Sequence, residues 1–206
     1  DILTYIRKDF HLGDIIMKRC IFCLILFVLI SFSLAQTTYV PDDNFEQALI
    51  DLGYDDVLDD YVLTANISSV TSLSVSSNSI SDLTGIEDFT ALTTLECNSN
   101  QLTSLDVSSC TALYGLRAND NSLTSLDISS NTAVTHLYCY NNQLTSLNVS
   151  GATALTALYC YENELTSLDL SNNTALYYLE VHNNQLISLD VSSSTGLHEL
   201  QCGYNL

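Results

Sequence analysis

Basic side chains are what this sequence has least of. Five Lys and Arg stand against 24 Asp and Glu in 206 residues. Three of those acids and four of the bases (Arg7, Lys8, Lys18, Arg19) precede Gln36, so from there on 21 acids face Arg117 alone, a net charge of −20. A surface of that sign repels phosphate backbones, which removes nucleic acid and anionic lipid from the classes of partner. It favours solubility, tolerance of salt and an attraction for cations or basic ligands. Other absences narrow the chemistry. No glycine-rich phosphate loop and no nucleophile elbow occur, and the abundant Ser and Thr fall where turns are expected rather than in a triad. Nothing in the residues predicts catalysis, and no cofactor is implied.

The start of the chain predicts export. Met17, Lys18 and Arg19 lead into the apolar run "CIFCLILFVLISFSLA", which is short for a bilayer span and closes on a small-x-small pattern before Gln36. Residues 17–35 are therefore read as a signal peptide cleaved after Ala35, and 1–16 as upstream sequence read through by the translation. An uncleaved anchor is the alternative. Cys20 and Cys23 open the apolar stretch instead of closing it, which argues against a lipoprotein. Membrane association is expected only through this segment or through an anchor beyond Leu206.

From Val70 the chain divides into lines of nearly constant length. A 22-residue line (70–91) precedes five 21-residue lines starting at Leu92, Leu113, Val134, Leu155 and Leu176, and a partial line begins at Leu197. Their shared pattern is L-x-x-L-x-(C/V/A)-x-x-N-x-L-T-S-L-D-V-S-x-x-T-A, and a fixed period of this size is the mark of a solenoid. Within "LxxLxCxxN" apolar and polar residues alternate, as in a strand with one buried face, so stacked rungs predict a parallel sheet. Asn78, Asn100, Asn121, Asn142, Asn163, Asn184 and Asn205 recur without exception. An unbroken asparagine ladder satisfies backbone groups at the bends, a structural role. The "LTSLDVSxxTA" half predicts short extended segments or turns opposite the sheet.

These residues resemble the bacterial secreted leucine-rich-repeat proteins of the internalin-like, short-repeat type. The resemblance covers 70–206 and is strongest in the first line with its "ISDLTGI"; later lines depart from it in having 21 residues and in favouring cysteine at the third strand position. It implies an extracellular binding scaffold on the bacterial surface or in its medium, and carries no catalytic residue with it; the alternatives are a structural stalk that spaces another domain from the cell surface, or the non-catalytic targeting arm of a larger exported enzyme. Residues 36–69 lack the period. Pro41 and Asp42 to Asn44 start, and Gly53 stops, an amphipathic helix with Phe45, Ala48, Leu49 and Leu52 on its apolar side. This segment is expected to cap the first rung, with Tyr61–Ile67 as a transition strand. At the other end an apolar edge at Leu206 in mid-repeat suggests a fragment of a longer protein.

The outward positions of the strands are the expected site. Tyr138, Tyr140, Tyr159 and Tyr161 should form a square across adjacent rungs, flanked by His136, Tyr178 and His182 and aided by Arg117, with Glu162 and Glu180 at the rim. Such a face suits stacking on sugars or gripping a peptide or protein; the alternative is that the rings stack along the ladder and stabilise the sheet. His136 and His182 are two rungs, on the order of 10 Å, apart, too far for joint metal ligation, and no metal is expected. Cys97, Cys139, Cys160 and Cys202 share a small apolar column with Ala118 and Val181; buried thiols are expected, with a Cys139–Cys160 disulfide left open, and Cys110 lies outside the column. Asp106, Asp127, Asp169 and Asp190, with Asn148 among them, either accept turn N–H groups or bind calcium; the lack of a repeated glycine-aspartate motif favours turns.

Overall fold

In a computed structural model the described residues are 36–206; the proposed signal peptide and the sequence before it lie outside them. Two short strands, β1 (Thr37–Tyr39) and β2 (Tyr61–Leu63), pair antiparallel and bracket helix α1 (Asp43–Asp51). Asp42 starts the helix, its Oδ1 accepting the Asn44 and Phe45 amides at 3.0 Å each. Gly53, at φ +79°, turns the chain away after it. Phe45, Ala48 and Leu49 are buried, and the Phe45 ring stacks on Phe89 of the repeats at 6.4 Å. Leu52 falls at the helix end and is exposed rather than inward as its spacing suggested.

The Tyr61–Ile67 segment is a strand only as far as Leu63; Thr64–Ile67 forms a single helical turn, α2. Ile67 thereby enters the core, which straight extension of the strand would not have achieved. Glu46, fully buried on α1, accepts the amides of Asp59 (2.9 Å) and Tyr61 (3.1 Å) and so ties the intervening loop to the helix.

The repeats form a seven-stranded parallel sheet in the spatial order β3 (Ser72–Ser74), β4 (Thr94–Glu96), β5 (Gly115–Arg117), β7 (His136–Tyr138), β9 (Ala157–Tyr159), β10 (Tyr178–Glu180) and β11 (Glu199–Gln201). Register is constant: Leu73, Leu95, Leu116, Leu137, Leu158, Leu179 and Leu200 stand side by side. Because side chains alternate across a strand, these leucines point into the solenoid while their neighbours point out. In one rung Leu92, Leu95, Cys97, Leu102 and Val107 are fully buried. Each such Leu contributes about 1.5–3 kcal/mol relative to exposure. On the far side only β6 (Ser125–Asp127) and β8 (Ser146–Asn148) are regular enough to pair; the other rungs turn there without strands. The result is the parallel repeat solenoid that the period predicts.

Each turn out of the sheet follows one recipe. Ser77, Ser99, Asp120, Asn141, Glu162, Asn183 and Tyr204, each just before a ladder asparagine, adopt left-handed backbone at φ between 53° and 61°. The asparagine then fastens two rungs together. Asn142 donates from Nδ2 to Ala118 O (3.0 Å) in the preceding rung and to Cys139 O (3.1 Å) in its own, while its Oδ1 accepts Leu123 N at 3.0 Å. Asn100, Asn121, Asn163, Asn184 and Asn205 repeat the arrangement, whereas the side chain of Asn78, in the first line, donates within its own turn to Ser76 O and its amide donates to Asn100 Oδ1. Opposite the sheet, the Oδ1 atoms of Asp106, Asp127, Asn148, Asp169 and Asp190 accept the amide two residues on, at 2.8–3.2 Å. These are Asx turns, the role the sequence favoured over calcium.

Candidate ligand-binding face

The in-register sheet converts sequence period into columns of side chains about 4.8 Å apart on the outward face. One column runs Glu96, Arg117, Tyr138, Tyr159, Glu180, Gln201, since these residues are paired strand to strand. Tyr138 and Tyr159 stack with ring centres 4.7 Å apart and planes 4° from parallel. The Arg117 guanidinium lies 4.5 Å over Tyr138 and its Nε reaches Glu96 at 3.4 Å. A second column holds Tyr140, Tyr161 and His182, stacked at 4.5 and 4.6 Å. The four tyrosines thus stand as two parallel stacks.

His136 and Tyr178 belong to neither stack. The His136 ring tilts 45° against Tyr114 at 6.0 Å and bonds the Thr135 hydroxyl through Nδ1 (2.8 Å). Tyr178 meets Tyr177 edge-on at 4.7 Å, and Tyr177 in turn stacks on His198 at 5.0 Å. Tyr114, Tyr177 and His198 therefore extend the aromatic surface beside the strands. Reading every second residue passed over them, because they sit one place after each initial leucine; recurrence of aromatic residues at that place is the signal that marks them.

Stacking has a chemical consequence. Inside each column the faces between neighbouring rings are covered, so hydroxyls, ring edges and the outer faces of the end tyrosines, Tyr159 and Tyr140, are what the surface presents. Two of the hydroxyls, those of Tyr159 and Tyr161, are held neutral. Partial burial, then Tyr140 and the carboxylates of Glu180, Glu162 and Asp120, push the Tyr161 phenol up to about 12. Burial, Tyr138, Glu180, Tyr178 and Glu199 raise Tyr159 likewise. These rings are therefore uncharged donors at physiological pH, set in a field of negative charge.

The cysteines divide by depth. Cys97, Cys139 and Cys160 are free, fully buried thiols in one column with Ala118 and Val181, and Cys110 is buried beneath the opposite turns with its Sγ 3.4 Å from Ile86 O. Cys202 is exposed, because no further rung covers it among the described residues. A second, unforeseen pair of asparagines lies on that side: Asn131 and Asn173 are fully buried and bond Val107 O and Cys110 O, and Val149 O and Ala152 O, respectively. Among the described residues no group of three His, Cys, Asp or Glu is placed to hold a metal ion.

Comparison with known proteins agrees with this architecture. Residues 68–110 match the family described as Leucine Rich repeats (2 copies). Internalin J of Listeria monocytogenes is 39% identical over 73 residues, which is 35% of this chain and 8% of that protein. Among solved structures, a leucine-rich-repeat protein of Leptospira interrogans superposes with a TM-score of 0.63 at 26% identity, over 68% of this chain and 38% of that one. The leucine-rich repeat domain of APL1B gives 0.60 at 26%, over 69% and 43%. The chain thus spans less than half the length of each of these proteins. The resemblance to internalin-like leucine-rich-repeat proteins read from the repeats is borne out.

Proposed function

We propose that a chain built from internalin-like leucine-rich repeats in this way is a secreted or surface-displayed binding scaffold, recognising a protein, peptide or glycan through its concave sheet and catalysing nothing. The observation that carries the reading is the pair of ordered columns, in which Arg117, Tyr138 and Tyr159 stand beside Tyr140, Tyr161 and His182 on rigid in-register strands. Side chains held in one arrangement before contact lose little entropy when a ligand arrives. Export through residues 17–35 and capping of the first rung by residues 36–69 belong to the same proposal. The similarity to Internalin J supports a bacterial surface or secreted location.

A spacer role is the second reading, favoured by one observation: rings stacked upon one another stabilise the sheet whether or not anything binds. Changing Tyr138, Tyr140, Tyr159 and Tyr161 together to Phe separates the two, since the stacks persist while four hydroxyls go. A scaffold loses about tenfold or more in binding to cells or to a glycan and peptide array, the worth of one or two hydrogen bonds. Undiminished binding by a variant with native circular dichroism would sink the site and leave the spacer.

A further inference from the structure

The chain carries a pattern for occupying its own aromatic face. At one end of the first column a guanidinium, that of Arg117, sits between a carboxylate (Glu96, 3.4 Å) and a tyrosine ring (Tyr138, 4.5 Å). At the other end the ring of Tyr159 is followed by Glu180, with Glu199 close enough to bear on the same phenol, and no cation is interposed. None can be supplied from within residues 36–206, because Arg117 is the sole Lys or Arg there and is already engaged. Glu162 follows Tyr161 in the chain, and with Glu180 it adds negative charge at that phenol. Tyr159 is covered on one side by Tyr138 and has Glu180, not a ring, on the next strand, so a ring face and a carboxylate stand together there as Tyr138 and Glu96 do around Arg117.

We infer that the partner of this face is a basic polypeptide segment, whose arginine or lysine side chains fill beside Glu162, Glu180 and Glu199 the place that Arg117 fills beside Glu96. This rests on the concave-face reading above and narrows it from any ligand to a cationic peptide. Arginine suits the place better than lysine, since its plane lies on a ring while its N–H fork meets a carboxylate. The negative charge of the chain also draws such a segment in before contact.

The test uses a fluorescein-labelled nona-arginine peptide, with nona-glutamate and a glycine-serine peptide as controls, followed by anisotropy on the full chain. Nona-arginine alone should bind, more weakly as sodium chloride rises from about 50 to about 500 mM. The E162Q/E180Q/E199Q variant should weaken it about tenfold or more, whereas D106N/D169N/D190N, which removes the same three charges from the opposite side and keeps the turns as Asn148 does, should change it less than about twofold. Absence of nona-arginine binding, or equal weakening by both variants, would overturn the inference. A neutral glycan whose capture depends on the four tyrosine hydroxyls but not on the glutamates would overturn it too, and would leave the concave-face reading standing. If no array ligand responds to the tyrosine variants either, that reading falls as well.

Discussion

Replacing Asn163 by Ala removes a bolt from the middle of the ladder. Its side chain is nearly buried; Oδ1 accepts Leu144 N at 3.0 Å, and Nδ2 donates to Cys139 O and Cys160 O at 3.1 Å each and to Tyr161 O at 3.2 Å. Alanine leaves an amide and several carbonyls without this partner where water has little access. At a net loss of about 1 kcal/mol for each well-made bond, the variant should lose about 2–4 kcal/mol. For a chain of this size that corresponds to roughly 5–15 °C in Tm. Asp is more telling than Ala. Its carboxylate keeps the acceptor for Leu144 N but confronts three carbonyl oxygens, so burial and repulsion raise its pKa in the folded state. A raised folded pKa means stability is retained at low pH and lost as pH rises through that value. N163D should therefore be less stable than N163A at pH 8 and recover toward it near pH 4, because a protonated carboxyl donates one of the missing bonds. Urea unfolding followed by far-UV circular dichroism at both pH values measures this. A loss under about 0.5 kcal/mol for N163A, or identical behaviour of the two variants at both pH values, would refute the assignment of these bonds as the fastening between rungs.

Two further outcomes follow from burial and charge. Of the five cysteines in residues 36–206, only Cys202 should react promptly with a maleimide under native conditions, since burial pushes the Cys97 and Cys160 thiols up to about 12 and Cys110 to about 11; mass spectrometry showing Cys139 modified at the Cys202 rate would contradict that column. Acid should destabilise the junction between α1 and the repeats. Partial burial raises the Asp42 pKa, but hydrogen bonds from the Ser81 hydroxyl and amide and from Phe45 and Asp82 outweigh it and hold the carboxyl below its usual range. A depressed folded pKa stabilises above the unfolded value and is lost as pH falls through the folded one, so Tm should drop below about pH 4. D42A should cost about 1–2 kcal/mol at pH 7 and flatten that drop; an unchanged acid limb would show that Asp42 is not its source.

The solenoid was legible in the sequence because every rung repeats the same physical demand. Leucine at the strand centre and asparagine at the bend recur in register, so a single period fixes strand, turn and neighbour at once. Positions that vary between rungs were harder to read. Asn131 and Asn173 occupy a place held elsewhere by Cys110, Ala152 and Ser194, and no ladder is visible where two rungs in five carry the polar residue. Tyr61–Ile67 has the branched and aromatic residues of a strand, yet packing of Ile67 bends its second half into a helical turn, a tertiary demand that local preference does not reveal. At the candidate face, column membership of the tyrosines followed from the period. That His136 and Tyr178 lie outside the stacks depends on Tyr114 and Tyr177, and thus on ring orientations that spacing does not specify.

Each ladder asparagine from Asn100 onward reaches into the rung before it and no farther. A whole 21-residue unit excised or duplicated in the gene would therefore present the same acceptors and donors to its new neighbour. Unequal recombination between the near-identical "LTSL" stretches would thus leave the ladder intact. Such a gene could lengthen or shorten the sheet by one strand spacing at a time, and shuffle the residues it displays, without rebuilding the fold beneath.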